Sequence, residues 1–263
     1  MRSSIFAAAL LCALPAAANP RLLPITYLHA TLPKGEGELE QIVDLTPVRA
    51  FDTTGAAPFV PRVELTTELE IGLTDKLELG LYLVLGSFPG EVVGASPLQF
   101  TGIKQRLRYR LADAGEWPLD VSLYGEVGEN RNEVELEARL NFEKRLGALR
   151  LGLNLKVERE LYYSGLREWV LAPSAGAVYE LSPAVGVGLE TFLLAELGSS
   201  GAGEAARFNR SAQVFAGPTF VAQFKKVWFN AGLYARLTEV GRDAQVGDVY
   251  GPVWVRTMFG FSL

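Results

Sequence analysis

Cysteine, histidine and long apolar runs are scarce in this sequence. Its one cysteine, Cys12, and its one histidine, His29, both precede residue 37. So few thiols and imidazoles exclude a disulfide framework, a thiolate metal site and a cysteine nucleophile. A Ser-His arrangement would have to recruit His29 from a segment that lies ahead of the first clear strand. His29 is therefore expected to be a plain surface or plug residue, and no catalytic, cofactor or metal site is expected. Past residue 18 no window approaches the roughly 20 apolar residues of a membrane helix. The formal net charge of −5 argues against nucleic acid as a partner.

What is present begins with an export signal. Met1-Arg2-Ser3-Ser4 leads into an apolar stretch from Ile5 to Leu14 and then Pro15-Ala16-Ala17-Ala18-Asn19. A short basic start, an apolar centre and an Ala-x-Ala end predict a signal peptide over 1–18, cleaved after Ala18. Cys12 follows Leu10-Leu11 rather than the small residues of a lipoprotein box. Residues 19–36 carry Pro20, Pro24, Pro33 and Gly35 without sustained alternation, and are expected to be a periplasmic or plug-like segment.

From residue 37 to the end the pattern has period two. Strands are predicted near 37–47, 60–72, 76–87, 98–111, 118–128, 132–144, 148–160, 167–179, 184–197, 209–222, 226–238 and 250–263, twelve in all. Connections alternate between short ones, such as Leu73-Thr74-Asp75, and longer ones, such as Thr46 to Phe59; Gly128 to Arg131 is a short exception. That is the plan of a membrane-spanning, up-and-down antiparallel barrel with tight periplasmic turns, long outer loops and both termini periplasmic. The strands exceed the usual five or six residues of a soluble sheet and suit a tilted crossing. A soluble exported sandwich or lipocalin-like barrel is the competing fold. A spanning sheet must close, because an open edge leaves backbone groups unpaired in lipid.

The hairpin VELTTELEIGLTDKLELGLYLVL, residues 63–85, makes the two faces explicit. Odd positions from 63 to 73 and from 77 to 85 are apolar apart from Thr67, while Glu64, Glu68, Glu70 and Glu78 take even ones. Parity demands a loop with an odd count, most simply Leu73, Thr74 and Asp75, which would pair Leu69 with Leu79 and Glu70 with Glu78. Other strands repeat the stripe. Lys104, Arg106, Arg108 and Arg110 form a basic ladder, and Glu133, Glu135, Glu137 and Arg139 share a face with Asn141 and Glu143. With Asp120 and Glu126 on the intervening strand, these residues form the predicted lumen charge network. The ladder has two readings: an ion-pair network that fixes register, or the wall of a path that selects polar solutes. Twelve strands leave a narrow lumen, between side-chain-filled cans and open porins. Tyr82, Trp117, Trp169, Trp228 and Trp254 are the candidates for aromatic girdles. The outer stretch from Gly198 to Ala206 is expected to be mobile, with no binding role.

Two stretches resemble known families. Glu68 to Leu79, followed by Leu81-Tyr82-Leu83, resembles a hairpin of proteobacterial outer-membrane barrels, among them the family associated with phenol-degradation operons and several loosely labelled transporters. Phe259, Phe261 and Leu263 resemble the C-terminal signal of outer-membrane proteins, with Leu in place of the more usual terminal Phe. The resemblance implies partners, outer-membrane lipid and the barrel assembly machinery, and small molecules as cargo. The expectation is a monomeric outer-membrane barrel passing a small polar or ionic solute, with no cofactor. A non-transporting envelope scaffold and a lipid-modifying barrel enzyme are the alternatives.

Overall fold

The computed structural model describes residues 20–87, 97–199, 207–208, 212–239 and 250–263. The expected signal peptide and most of the outer stretch from Gly198 to Ala206 lie outside the described residues. Within them the chain is all-β. Its strands are β1 (Gly37–Arg49), β2 (Phe59–Gly72), β3 (Leu77–Ser87), β4 (Gln99–Arg110), β5 (Asp120–Asn130), β6 (Glu133–Leu146), β7 (Leu149–Tyr162), β8 (Arg167–Leu171), β9 (Ser174–Ser182), β10 (Val185–Ser199), β11 (Arg207–Phe208), β12 (Gln213–Phe224), β13 (Val227–Glu239) and β14 (Val253–Ser262).

Each strand pairs antiparallel with its neighbours, and β1 pairs with both β2 and β14, so the sheet closes. β8 and β9 form one stave, both lying between β7 and β10. The break falls at Ala172-Pro173, where proline has no N–H for the ladder. β11 is a two-residue ribbon at the C-terminal end of β10. The result is a closed twelve-stave antiparallel barrel, as the periodicity predicts.

Alternation sorts the side chains. Leu81, Leu83, Leu107, Val127, Leu140 and Leu155 face outward and are exposed. Glu78, Tyr82, Arg106, Tyr124 and Glu126, on the intervening positions, are buried in the lumen. Soluble monomers seldom present so large an apolar surface, whereas a sheet enclosed by lipid must. Phe259, Phe261 and Leu263 lie on this outward face.

Two expectations need correction. In the first hairpin Leu69 pairs with Leu81 and Glu70 with Gly80, not with Leu79 and Glu78. The parity holds, but the turn sits one residue further on. Leu73 N–H bonds the Leu77 carbonyl at 2.8 Å, and the Thr74 hydroxyl accepts from Lys76 N–H and Leu77 N–H at 3.2 and 2.9 Å. The threonine thus caps a loop centred on Asp75. Of the five girdle candidates, Trp117 and Trp169 face outward, one at each end of the barrel. Tyr82, Trp228 and Trp254 instead point inward, where their polar tips find partners. Trp228 Nε1 donates to Glu38 at 2.7 Å and Trp254 Nε1 to Asp44 at 2.5 Å.

Candidate functional site

The lumen is not empty. Residues 20–32, which precede β1, lie inside the barrel, with Leu23, Thr26, His29 and Leu32 all buried, and Pro33 to Gly35 emerge at the turn end. A stretch without alternation cannot join a two-faced sheet, and its own backbone groups then need partners elsewhere. The wall provides them. Glu190 accepts the N–H groups of Ile25 and Thr26 at 3.2 and 2.5 Å, and Asn154 both accepts from Tyr27 N–H at 2.7 Å and donates to its carbonyl at 2.8 Å. Glu143 accepts His29 N–H at 3.0 Å and Glu78 accepts Leu32 N–H at 2.7 Å. Asn230 donates to the Arg21 carbonyl at 2.6 Å.

Glycines of the wall make room for this inner segment. A Cβ on Gly152 would come within 2.7 Å of Leu28, and one on Gly176 within 2.7 Å of Leu23. Leu22, Leu23 and Leu28 pack there with Val178 and Val221. His29 is buried rather than on the surface, its Nε2 3.0 Å from the Ala112 carbonyl in the β4–β5 turn.

Ten of the predicted network residues meet in two belts. The lower belt, nearer the short turns, centres on Arg106. Its Nε donates to Glu68 at 2.8 Å and to the Tyr82 hydroxyl at 2.6 Å, its Nη1 to Glu78 at 2.6 Å, and its Nη2 to Glu70. Arg108 Nη2 donates to both oxygens of Glu78, at 2.7 and 2.9 Å. The register explains the packing. Gly80 stands opposite both Glu70 and Arg106, and a Cβ there would lie 2.6 Å from Arg106 Nε. The arginine lies over that gap and reaches two strands across.

The upper belt joins Lys104 to Glu135 at 2.5 Å and to Glu126 at 3.5 Å, and Arg139 to Glu137 at 2.6 Å. Lys156, absent from the predicted network, bridges Glu137 at 2.6 Å and Glu158 at 3.0 Å. Tyr124 donates to Glu126. The guanidinium of Arg139 lies over the rings of Tyr27 and Tyr124, 4.5 and 4.6 Å from their centroids.

Four predicted members stand apart. Arg110 bonds the Asp75 carbonyl at 2.7 Å and pairs with Asp113 at the turn end. Asp120 accepts from Gly115 N–H at 2.7 Å in its own turn. Glu133 accepts from Asn130 at the long-loop end, and Glu64 meets only Arg62, at 3.8 Å, among the ion pairs of the described residues.

Sequence reasoning passed over several lumen groups. Glu38, Glu40 and Asp44 on β1 follow the same even parity as the hairpin glutamates and could have been found by it. Asp44 forms a fork with Arg256, with two bonds of 2.7 Å. Arg21 gave no signal, because nothing in a segment without periodicity says which way its side chains point. It lies 2.9 Å from Glu40, 2.9 Å from Glu68 and 3.3 Å from Glu70. On the far wall Phe192, Phe215 and Tyr234 form a buried aromatic cluster with Trp254 against it, and Tyr234 donates to Glu190 at 2.5 Å.

Among the described residues, a larger cavity lies on each side of the inner segment. The upper one holds about 200 Å³ between Ile25, Tyr27, Lys104, Arg139, Phe192 and Trp254. The lower one holds about 160 Å³ between Pro20, Leu28, Arg150, Glu180 and Val221.

Known structures share this architecture. The COG4313 outer membrane channel from Pseudomonas putida F1 superposes with a TM-score of 0.61 at 14% identity, covering 89% of this chain and 98% of its own. The NanC porin gives 0.54 at 10% identity, covering 86% of this chain and 100% of its own. The KdgM porin, solved in complex with disordered oligogalacturonate, gives 0.53 at 6% identity, covering 86% and 99%. At these identities the likeness is one of fold. No family model matches the chain, and no curated protein matches it.

Proposed function

We propose that this protein is an outer-membrane channel for small polar or ionic solutes, held closed in the form described by its own N-terminal segment. The observation that carries this reading is the pair of cavities, about 200 and 160 Å³, separated by residues 20–32 and not by the wall itself. A scaffold barrel needs no solute-sized spaces on either side of a removable divider. The resemblance to the COG4313 channel and to the two porins supports the same reading, as does the hairpin's likeness to phenol-operon barrels. The long loops then face outward, both termini face the periplasm, and the charged belts line the route as well as fixing register. Outer-membrane lipid surrounds the apolar band of a monomer, and the barrel assembly machinery reads Phe259, Phe261 and Leu263.

A reversible lock tests this. Beyond the signal peptide the chain has no cysteine, so Leu23→Cys with Gly176→Cys creates a single possible disulfide where the segment touches β9. In planar bilayers the oxidised protein is expected to be silent and the reduced protein to conduct. Equal conductance in both states would remove the segment as the barrier. Silence of wild type and variant in every state would favour the non-transporting envelope barrel.

A further inference from the structure

The lower belt contains more acid than its wall arginines balance. Five buried carboxylates, Glu38, Glu40, Glu68, Glu70 and Glu78, face three guanidiniums. Arg106 and Arg108 belong to the wall. The third, Arg21, belongs to the inner segment. Like charges this close cannot all stay ionised without a cation among them.

The way Arg21 is held carries the argument. An arginine matched to a carboxylate presents two parallel N–H bonds from its fork. Here a single nitrogen, Nη2, makes all three contacts, at 2.9 Å to Glu40, 2.9 Å to Glu68 and 3.3 Å to Glu70. Oxygens from β1 and β2 thus converge on one point, as they would around a compact ammonium. The Glu40 side chain is 2% exposed, and its Oε2 accepts no aligned hydrogen bond in spite of its 2.9 Å contact. A void of about 30 Å³ adjoins Arg21, Glu40, Glu70 and Arg108. Carboxylate oxygens of Glu38, Glu40 and Glu70 lie within 4.8 Å of one another.

We infer that Glu40, Glu68 and Glu70 form a cation-binding site whose ligand is an organic cation with a primary ammonium or guanidinium end, and that Arg21 occupies it in the closed form. The role of the site in gating rests on the channel reading; its existence does not. Arg106 and Arg108 beside the cage repel a divalent metal ion more than a monovalent organic cation. Three separately aimed oxygens also suit N–H donors.

The test removes the occupant and offers a replacement. Purified Arg21→Ala, in detergent, is melted in ethylammonium chloride or methylguanidinium chloride against sodium chloride of equal ionic strength. A ligand that binds only the folded state raises Tm with its concentration. The expected result is such a rise in Arg21→Ala, none in wild type, and none in Arg21→Ala with Glu40→Gln. Arg21→Gln serves in the same assay if the alanine variant does not fold. No rise in either neutral variant overturns the site, and a rise with calcium chloride alone overturns the ligand class. In planar bilayers Arg21→Ala is expected to conduct several-fold more than wild type and to be blocked by ethylammonium. A melting shift without conductance in any form removes the channel and keeps the site. Conductance without a melting shift does the reverse.

Discussion

The two sides of the lumen are built from different chemistry on the same backbone plan. From β2 to β7 the inward positions are charged, with Arg106, Arg108 and Lys104 set among Glu68, Glu70, Glu78, Glu126 and Glu137. From β10 to β14 the aromatic and apolar residues Phe192, Phe215, Trp228, Tyr234 and Met258 are buried beside a few polar groups, among them Glu190, Asn230 and Arg256. The outward faces of the two sides are alike, because lipid asks the same of both. The inward faces differ because the inner segment lies between them. Arg21 and Tyr27 turn to the charged side, while Leu23 packs on Val178 and Val221. The occupant is amphipathic across the barrel, and each wall matches the side it meets.

The largest break in this comparison should come at Arg106. Arg106→Ala leaves Glu68, Glu70 and Glu78 buried with less compensation, a loss of about 3–5 kcal/mol. It should appear as a lower temperature for the gel-mobility shift between folded and unfolded barrel. An unchanged temperature would mean that water already solvates that belt. On the aromatic wall, Tyr234→Phe removes the donor to Glu190 but keeps the ring, at a cost of about 1–3 kcal/mol in urea unfolding. The Ile25 and Thr26 amides still hold that carboxylate, so the smaller loss is expected.

Pairing the variants sharpens the contrast. Arg106→Ala with Glu78→Gln should depart from additivity by about 0.5–3 kcal/mol, since the two side chains touch. Arg106→Ala with Tyr234→Phe, on opposite walls, should be additive. Coupling across the lumen as strong as coupling along the wall would refute two separate chemistries. The smallest effect is expected at Arg110→Ala, under about 1 kcal/mol in the same unfolding assay, because its pair with Asp113 is open to solvent at the turn.

These differences mark how far the sequence could be read. Period two revealed the staves, and the parity of Glu68, Glu70 and Glu78 revealed their inward face. Both follow from the geometry of one strand. The register of the first hairpin depended on how Thr74 caps its turn, which alternation does not encode. Trp228 was open to misreading, because tryptophan suits both a girdle and a lumen with a carboxylate to meet its N–H. Arg21 was beyond reach, since its partners are chosen by the path of a segment with no period. In the network itself the ladder's neighbours were legible, but Arg106's reach across Gly80 to β2 required the register.

The inner segment runs without a break into β1, the strand that seals the barrel against β14. Gly35 N–H bonds the Gly72 carbonyl and Gly72 N–H bonds the Glu36 carbonyl, so the joint is fixed to the wall. A tethered group sees its site at an effective concentration of order millimolar when the tether is short and flexible. Any free cation must compete against that standing concentration. On the cation-site proposal, the length of chain between Arg21 and the joint at Gly35 acts as a threshold, setting how much cation must accumulate before Arg21 yields its place.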